Sequence, residues 1–196
     1  MELIIINNND LGQNVYIYFD PATKEGVIID PGNNPEDIME AINQNNIKVK
    51  AILLTHGHFD HISSVEEIKE QTEALVYCHE QEKQFLEDSS LNLSGMRRVK
   101  EVKFSPDGLL GDNIFCFKVI HTPGHTPGCV CYYDEENGII FTGDTLFKNA
   151  VGRTDLPLSD HGALVKAVKE KLFSLPDDTV VYPGHGESTS IGGEKG

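Results

Sequence analysis

Basic residues are scarce in this chain. Lysine and arginine total 16 against 31 aspartates and glutamates, a formal charge of −15 at neutral pH. Such a balance repels polyanions, so it argues against nucleic acid and membrane as partners and favours solubility. Bound cations would make the effective charge less extreme. No apolar run approaches the ~20 residues needed to span a bilayer. The N-terminal MELIIINNNDLG has no basic leader and no small-residue cleavage site, so it reads as a first strand, and the expected location is cytoplasmic. Cysteine is sparse as well. Cys78, Cys116, Cys129 and Cys131 lie in apolar runs without a CxxC pair. Cys129 and Cys131 would share a strand face and could be read as a zinc site; buried free thiols are the preferred expectation. No repeat, low-complexity tract or linker divides the 196 residues, a length suited to one domain with a substantial core.

What is present is an alternation of short apolar runs and turns. LIII (3–6), VYIYF (15–19), GVIID (26–30), KAILLT (50–55) and ALVYCH (74–79) read as strands. Asn34 and Pro35 mark the start of a helix with Ile38, Ala41 and Ile42 on one face. Ser63 and Glu66 form the pattern of a capping box opening a helix to about Glu73, and a polar helical stretch follows near 80–88. In the second half FCFKVI (115–120), CVCYY (129–133) and IIFTG (139–143) read as strands, with DEENG as a hairpin turn. A helix over 161–175 carries Leu164, Val168 and Leu172 on one stripe. VVYP (180–183) reads as the last strand and SIGGEKG (190–196) as a flexible end. Meander and βαβ signals occur together, which predicts two mixed or antiparallel sheets with helices outside.

The chemistry concentrates in LLTHGHFDH (53–61), where three histidines and an aspartate fall within six positions. His56 and His58 are two apart and project to one side of an extended segment, and Gly57 between them removes bulk. Asp60 and His61 fall at the start of the next helix on a different bearing. One metal cannot easily take all four, whereas two metals can, each completed by later residues. His125 in HTPGHTPG, Asp144 in FTGDT and His185 in YPGHG recur in the same context of apolar strand, turn and potential ligand. Imidazole and carboxylate donors suit zinc, iron, manganese or cobalt better than calcium or magnesium. Asp144 is the natural bridging carboxylate, and two cations ~3.5–4 Å apart could share a water and lower its pKa. A histidine at a strand end is usually just solvated or hydrogen-bonded, and His79 and His161 keep that reading. His121 keeps it too, with orientation of a ligand by hydrogen bond as the lesser alternative.

THGHFDH, HTPGHTPG, FTGDT and PGHG, in this order and over nearly the whole chain, resemble the metallo-β-lactamase-fold hydrolases. The resemblance implies an αββα sandwich of two mixed sheets, with His56, His58 and His125 on one metal, Asp60, His61 and His185 on the other, and Asp144 bridging. An aspartate at the bridging position is similar to glyoxalase II and unlike true β-lactamases. TLFKNAVGRTDLPLSDHGAL (145–164) is similar to the short, glyoxalase II-like branch. That implies hydrolysis of small-molecule thioesters resembling S-lactoylglutathione by a metal-bridging hydroxide, with Asp60 and Asp144 as proton acceptors. The expected cofactors are two divalent ions, zinc first, with iron and manganese as alternatives. Longer glyoxalase II enzymes carry a C-terminal helical domain for the glutathione moiety, which is not expected within these 196 residues.

Lys148, four residues past Asp144, is a candidate to meet a substrate carboxylate, against the plainer reading of a solvated lysine. Arg153 in GRTD is expected to pair with Asp155 or another carboxylate. The alternative enzyme reading is a persulfide dioxygenase of the same fold, with one iron on His56, His125 and Asp144. A non-catalytic metal scaffold fits less well, because structural sites are usually closed with four ligands.

Overall fold

A computed structural model describes residues 1–7, 11–32, 34–96 and 99–196. The first sheet has six strands in chain order: β1 (Glu2–Ile6), β2 (Val15–Phe19), β3 (Glu25–Ile29), β4 (Lys48–Leu53), β5 (Leu75–Cys78) and β6 (Gly108–Leu109). β1 to β3 form an antiparallel meander and β3 to β6 are parallel. The second sheet contains β7 (Asn113–Ile114), β8 (Phe117–His121), β9 (Val130–Asp134) and β10 (Ile139–Gly143) as a meander. β11 (Leu146–Phe147) and β12 (Ala150–Val151) form a small hairpin aside. β13 (Val180–Pro183) returns parallel to β10, and β14 (Thr189–Ser190) pairs antiparallel at the edge. Both sheets are therefore mixed, as expected.

Side-chain alternation builds the layers. In β2, Tyr16 and Tyr18 point between the sheets, whereas Val15, Ile17 and Phe19 point outward, and all five are buried. The inward residues join Val27, Ile29, Ala51 and Leu53 against Phe117, Val130, Tyr132 and Phe141 of the second sheet. The outward ones pack against Ile38 and Ile42 of α1 (Pro35–Asn45), Ile62 of α2 (Phe59–Ile62) and Val65 and Ile68 of α3 (Val65–Thr72). On the far face of the second sheet, Cys131, Tyr133, Ile140 and Val181 meet Val168 and Leu172. The result is a four-layer αββα sandwich.

The polar stretch near 80–88 folds as a 3-10 turn (Glu80–Glu82) and α4 (Lys83–Glu87). The 161–175 stripe buries Leu164, Val168 and Leu172 as predicted, but the element is α5 (His161–Ala167) followed by a π-helical turn (Val168–Leu172). Three local expectations are corrected. Ser63 is not a cap: α2 intervenes, the Ser63 hydroxyl donates to the Phe59 carbonyl, and Ser64 holds the N-cap position of α3. Cys116 is exposed, because β8 begins one residue later, at Phe117; the other three thiols are buried. The 190–196 end is ordered. After β14, the short α6 (Ile191–Glu194) buries Ile191, with the Ile191 and Gly192 amides donating to Thr179 and Asp177. One apolar side chain among glycines anchors it, which composition does not reveal. No helix among the described residues is long and apolar enough to cross a membrane.

Phe141 is fully buried and its ring lies 5.0–5.9 Å from those of Tyr16, Tyr18, Phe117 and Tyr182. Phe141→Ala is expected to cost about 3–5 kcal/mol, measured by denaturant unfolding. A loss under ~1 kcal/mol would mean that the inter-sheet layer collapses to fill the cavity.

Candidate metal centre

The strands β3, β4, β8, β10 and β13 all end at one edge of the sandwich, and the predicted ligands follow those ends. Chain direction explains this: β3 and β4 are parallel, as are β10 and β13, and β8 runs with β10 through the meander. Loops at the carboxyl ends of such strands converge on a rigid scaffold. His56, His58, Asp60, His61, His125, Asp144 and His185 are all brought together there.

Two clusters correspond to the groups that the resemblance implies, and a third, of Asp30, His56 and His61, links them. One nitrogen from each of His56, His58 and His125 lies within 4.8 Å of the others, and so do one atom each from Asp60, His61 and His185. His58 Nδ1 is 2.9 Å from His125 Nε2, and His61 Nε2 is 3.3 Å from His185 Nε2. Asp144 spans the groups. Its Oδ2 lies 3.5 Å from His125 Nε2, while Oδ1 lies 3.3 Å from His61 Nε2 and 3.7 Å from His185 Nε2. Asp60 Oδ2 is 3.4 Å from His185 Nε2.

Each of four imidazoles is tethered through Nδ1 and turns Nε2 inward. His61 Nδ1 meets Asp30 Oδ2 at 2.9 Å, and His56 Nδ1 meets the Thr55 hydroxyl at 3.1 Å. His125 Nδ1 meets the Arg153 carbonyl at 2.8 Å and His185 Nδ1 the Leu11 carbonyl at 3.1 Å. Such outer contacts fix ring tautomer and direction. His58 is the exception, with Nδ1 facing His125. His56 Nε2 and Asp144 Oδ1, both facing the centre, are buried without a hydrogen-bond partner. Buried polar atoms are costly unless satisfied. Orphaned imidazole and carboxylate atoms converging at these distances are the donor set that divalent transition ions take, so the residues fit two such ions.

Without an ion the charge states divide between the two groups. Burial drives His56 well below the ordinary imidazole range and His58 down to about 3, with the neighbouring imidazoles adding to it. Burial also disfavours charge on His61, but the carboxylates of Asp144 and Asp30 outweigh it and hold His61 well above that range. Burial would raise Asp144, yet the surrounding imidazoles pull it far down, and His185 and His61 lower Asp60 against its burial. Both carboxylates are thus ionised and ready to accept.

Two residues that sequence reasoning passed over matter here. Asp30 directly follows β3, is buried, and accepts from the Thr55 amide, the Thr55 hydroxyl and His61. Its signal was an aspartate closing an apolar strand before Pro-Gly, the same form as the other ligand segments. Glu82 is buried in a segment that reads as a polar surface helix, so nothing local marked it. His121 does not orient a ligand: its ring stacks on His79 at 4.2 Å and its Nε2 meets the Pro127 carbonyl. Arg153 does pair with Asp155, through two 2.7 Å contacts. Lys148 is exposed, with its amine 2.6 Å from Glu187.

Residues 8–185 match the model of the metallo-beta-lactamase superfamily, and the chain belongs to that superfamily. It is 40% identical to the probable metallo-hydrolase YqgX of Bacillus subtilis, over 89% of this chain and 86% of that protein. It is 33% identical to hydroxyacylglutathione hydrolase GloC of Haemophilus influenzae, over 100% and 95% of the two. Among solved structures, the BLEG-1 B3 metallo-beta-lactamase superposes with a TM-score of 0.92 at 37% identity, covering 98% of this chain and 96% of that one. TTHA1623 in a di-iron-bound form gives 0.89 at 36% identity with the same coverage. ETHE1 from Myxococcus xanthus gives 0.79 at 27% identity, covering 100% and 82%.

The shifts above set how the metal-free protein responds to pH. Between about pH 4.5 and 6.5 the unfolded chain protonates His56 and His58 while the folded one does not, so stability rises with pH. Glu82, raised to about 7 by burial, opposes this with one proton and is outnumbered. Above roughly 6.5 the raised His61 and His185 give stability that is lost as they deprotonate. Chemical denaturation in chelator is expected to show maximal stability near pH ~6.5. A profile still climbing through pH ~8 would contradict the assigned charge states.

Proposed function

We propose that this chain is a metal-dependent thioester hydrolase of glyoxalase II type, acting on compounds resembling S-lactoylglutathione. The observation that carries the reading is Asp144, which offers one oxygen to each ligand group. A shared carboxylate of this kind suits a dinuclear centre rather than two separate ions. His56, His58 and His125 would hold one ion, Asp60, His61 and His185 the other, with zinc as first candidate. Such ions would polarise the acyl carbonyl and lower the pKa of a water between them. The chain's own part is to orient and to take protons. Asp60 and Asp144, ionised and at the centre, are the acceptors for the proton of the attacking water. The imidazoles, held through Nδ1, keep the geometry constant while charge develops on the acyl oxygen. Whole-length similarity to a hydroxyacylglutathione hydrolase supports the thioester class.

A second reading, a persulfide dioxygenase with one iron on His56, His125 and Asp144, draws support from the proximity of those residues. The likeness to ETHE1 is compatible with both readings. The two separate in the metal count. Purified protein is expected to carry close to two ions per chain and to hydrolyse a thioester panel. One iron per chain, with oxygen uptake on glutathione persulfide and no thioesterase activity, would replace the first reading by the second. Asp144→Ala is expected to lower metal content and activity together; full thioesterase activity in that variant would remove the bridging assignment.

Lys148 is proposed to meet a substrate carboxylate. Its partner Glu187 lies two residues past His185, so the amine stands on that side of the centre. Exposed pairs of this kind exchange readily. Lys148→Ala is expected to raise KM for an anionic thioester several-fold with a smaller change in kcat, and unchanged kinetics would leave Lys148 as a solvated surface residue.

A further inference from the structure

We infer that Glu82 is the positioning residue for the His56, His58 and His125 group, holding in one carboxylate the two turns that carry all three. Glu82 is fully buried. Its Oε2 accepts from the Gly57 amide at 2.7 Å, in the turn between His56 and His58. Its Oε1 accepts from the Thr126 hydroxyl at 2.5 Å and the Gly128 amide at 2.8 Å, in the turn that follows His125. These turns come from different sheets and are otherwise far apart in the chain. Two backbone amides and a hydroxyl face this group, and its two oxygens serve one turn each, which a side chain with a single oxygen cannot do.

The two glycines fit the same picture. A Cβ on Gly57 would stand 2.6 Å from Phe85 Cβ and 3.2 Å from Glu82 Oε2. One on Gly128 would stand 2.8 Å from the Glu82 amide nitrogen and Cγ. The glycine in HGH therefore makes room for the Glu82 segment as much as for a turn. Asp30 performs the corresponding service through Thr55 and His61, so each side of the centre leans on a buried acid that is not itself among the predicted ligands.

The inference rests on the reading of His56, His58 and His125 as metal ligands, and the test separates the two. Wild-type protein, Glu82→Gln, Thr126→Val and Thr126→Ser are stripped of metal and titrated with cobalt(II), following stoichiometry, affinity and the visible d–d absorption. A glutamine side chain replaces one accepting oxygen by a donor amide, so it can accept from only one of the two turns, and valine removes one donor that serine keeps. Glu82→Gln is expected to weaken one of two cobalt ions about 10- to 100-fold and to shift its absorption. Thr126→Val is expected to do the same to a smaller extent, with Thr126→Ser like wild type. Melting curves of the metal-free proteins identify any variant that has not folded, in which case the Thr126 pair decides. Wild-type affinity and spectrum in both Glu82→Gln and Thr126→Val overturn the inference. A wild-type protein that binds no cobalt overturns the metal reading itself.

Discussion

The carboxylate of Asp30 is the contact on which the centre depends. It closes β3 in a left-handed conformation, with φ 51°, and its two oxygens collect three protons. Oδ1 takes the Thr55 amide; Oδ2 takes the Thr55 hydroxyl and the His61 ring. Because the Thr55 hydroxyl is spent on Asp30, its lone pairs are left for His56 Nδ1. One buried acid thus sets the tautomer of a histidine in each ligand group. With its oxygens already satisfied by the chain, it serves as an anchor rather than as a further donor to an ion.

The same edge joins the two sheets. The Val130 amide donates to the Thr55 carbonyl, and the Tyr132 hydroxyl donates to the Leu54 carbonyl. Asn14 reaches across with its amide to Gly184 and with its side chain to Pro183 and Gly186. Most of these polar contacts are buried, where losing one partner leaves the other unsatisfied. They place β4, β9 and β13 in fixed relation, and so His56, His125 and His185. Behind them the aromatic layer of Tyr16, Tyr18, Phe117, Tyr132 and Phe141 supplies apolar burial, and its close packing resists small displacements of either sheet. Orphaned imidazole nitrogens and a doubly shared aspartate persist at this edge because the surrounding scaffold holds them there.

Much of this was legible in the chain. The strands stood out because each is a short apolar run closed by Gly, Pro or Asp. The layering was legible because meander and βαβ signals occur together along the chain. The division of THGHFDH into two pairs followed from the two-residue spacing of His56 and His58 and from the helix start at Asp60. What was missed has a common cause. Glu82, Ile191 and the role of Asp30 depend on partners distant in sequence, and Ser63 was misread because the four-residue α2 was not anticipated. A spacing of four allows His121 to support His125, but His121 is the last residue of β8 and its ring stacks on His79.

By itself the sequence determined which side chains have the chemistry to hold cations, the strand ends on which they ride and the family to which the chain belongs, since these are local in residue type and spacing. Only the tertiary structure decided how the ligands face one another, which carboxylates hold the turns from behind, and that Asp144 reaches both groups. The physical reason is that a hydrogen bond or a shared oxygen is defined over a few ångströms, and those distances exist only after strands far apart in the chain have been packed to one edge.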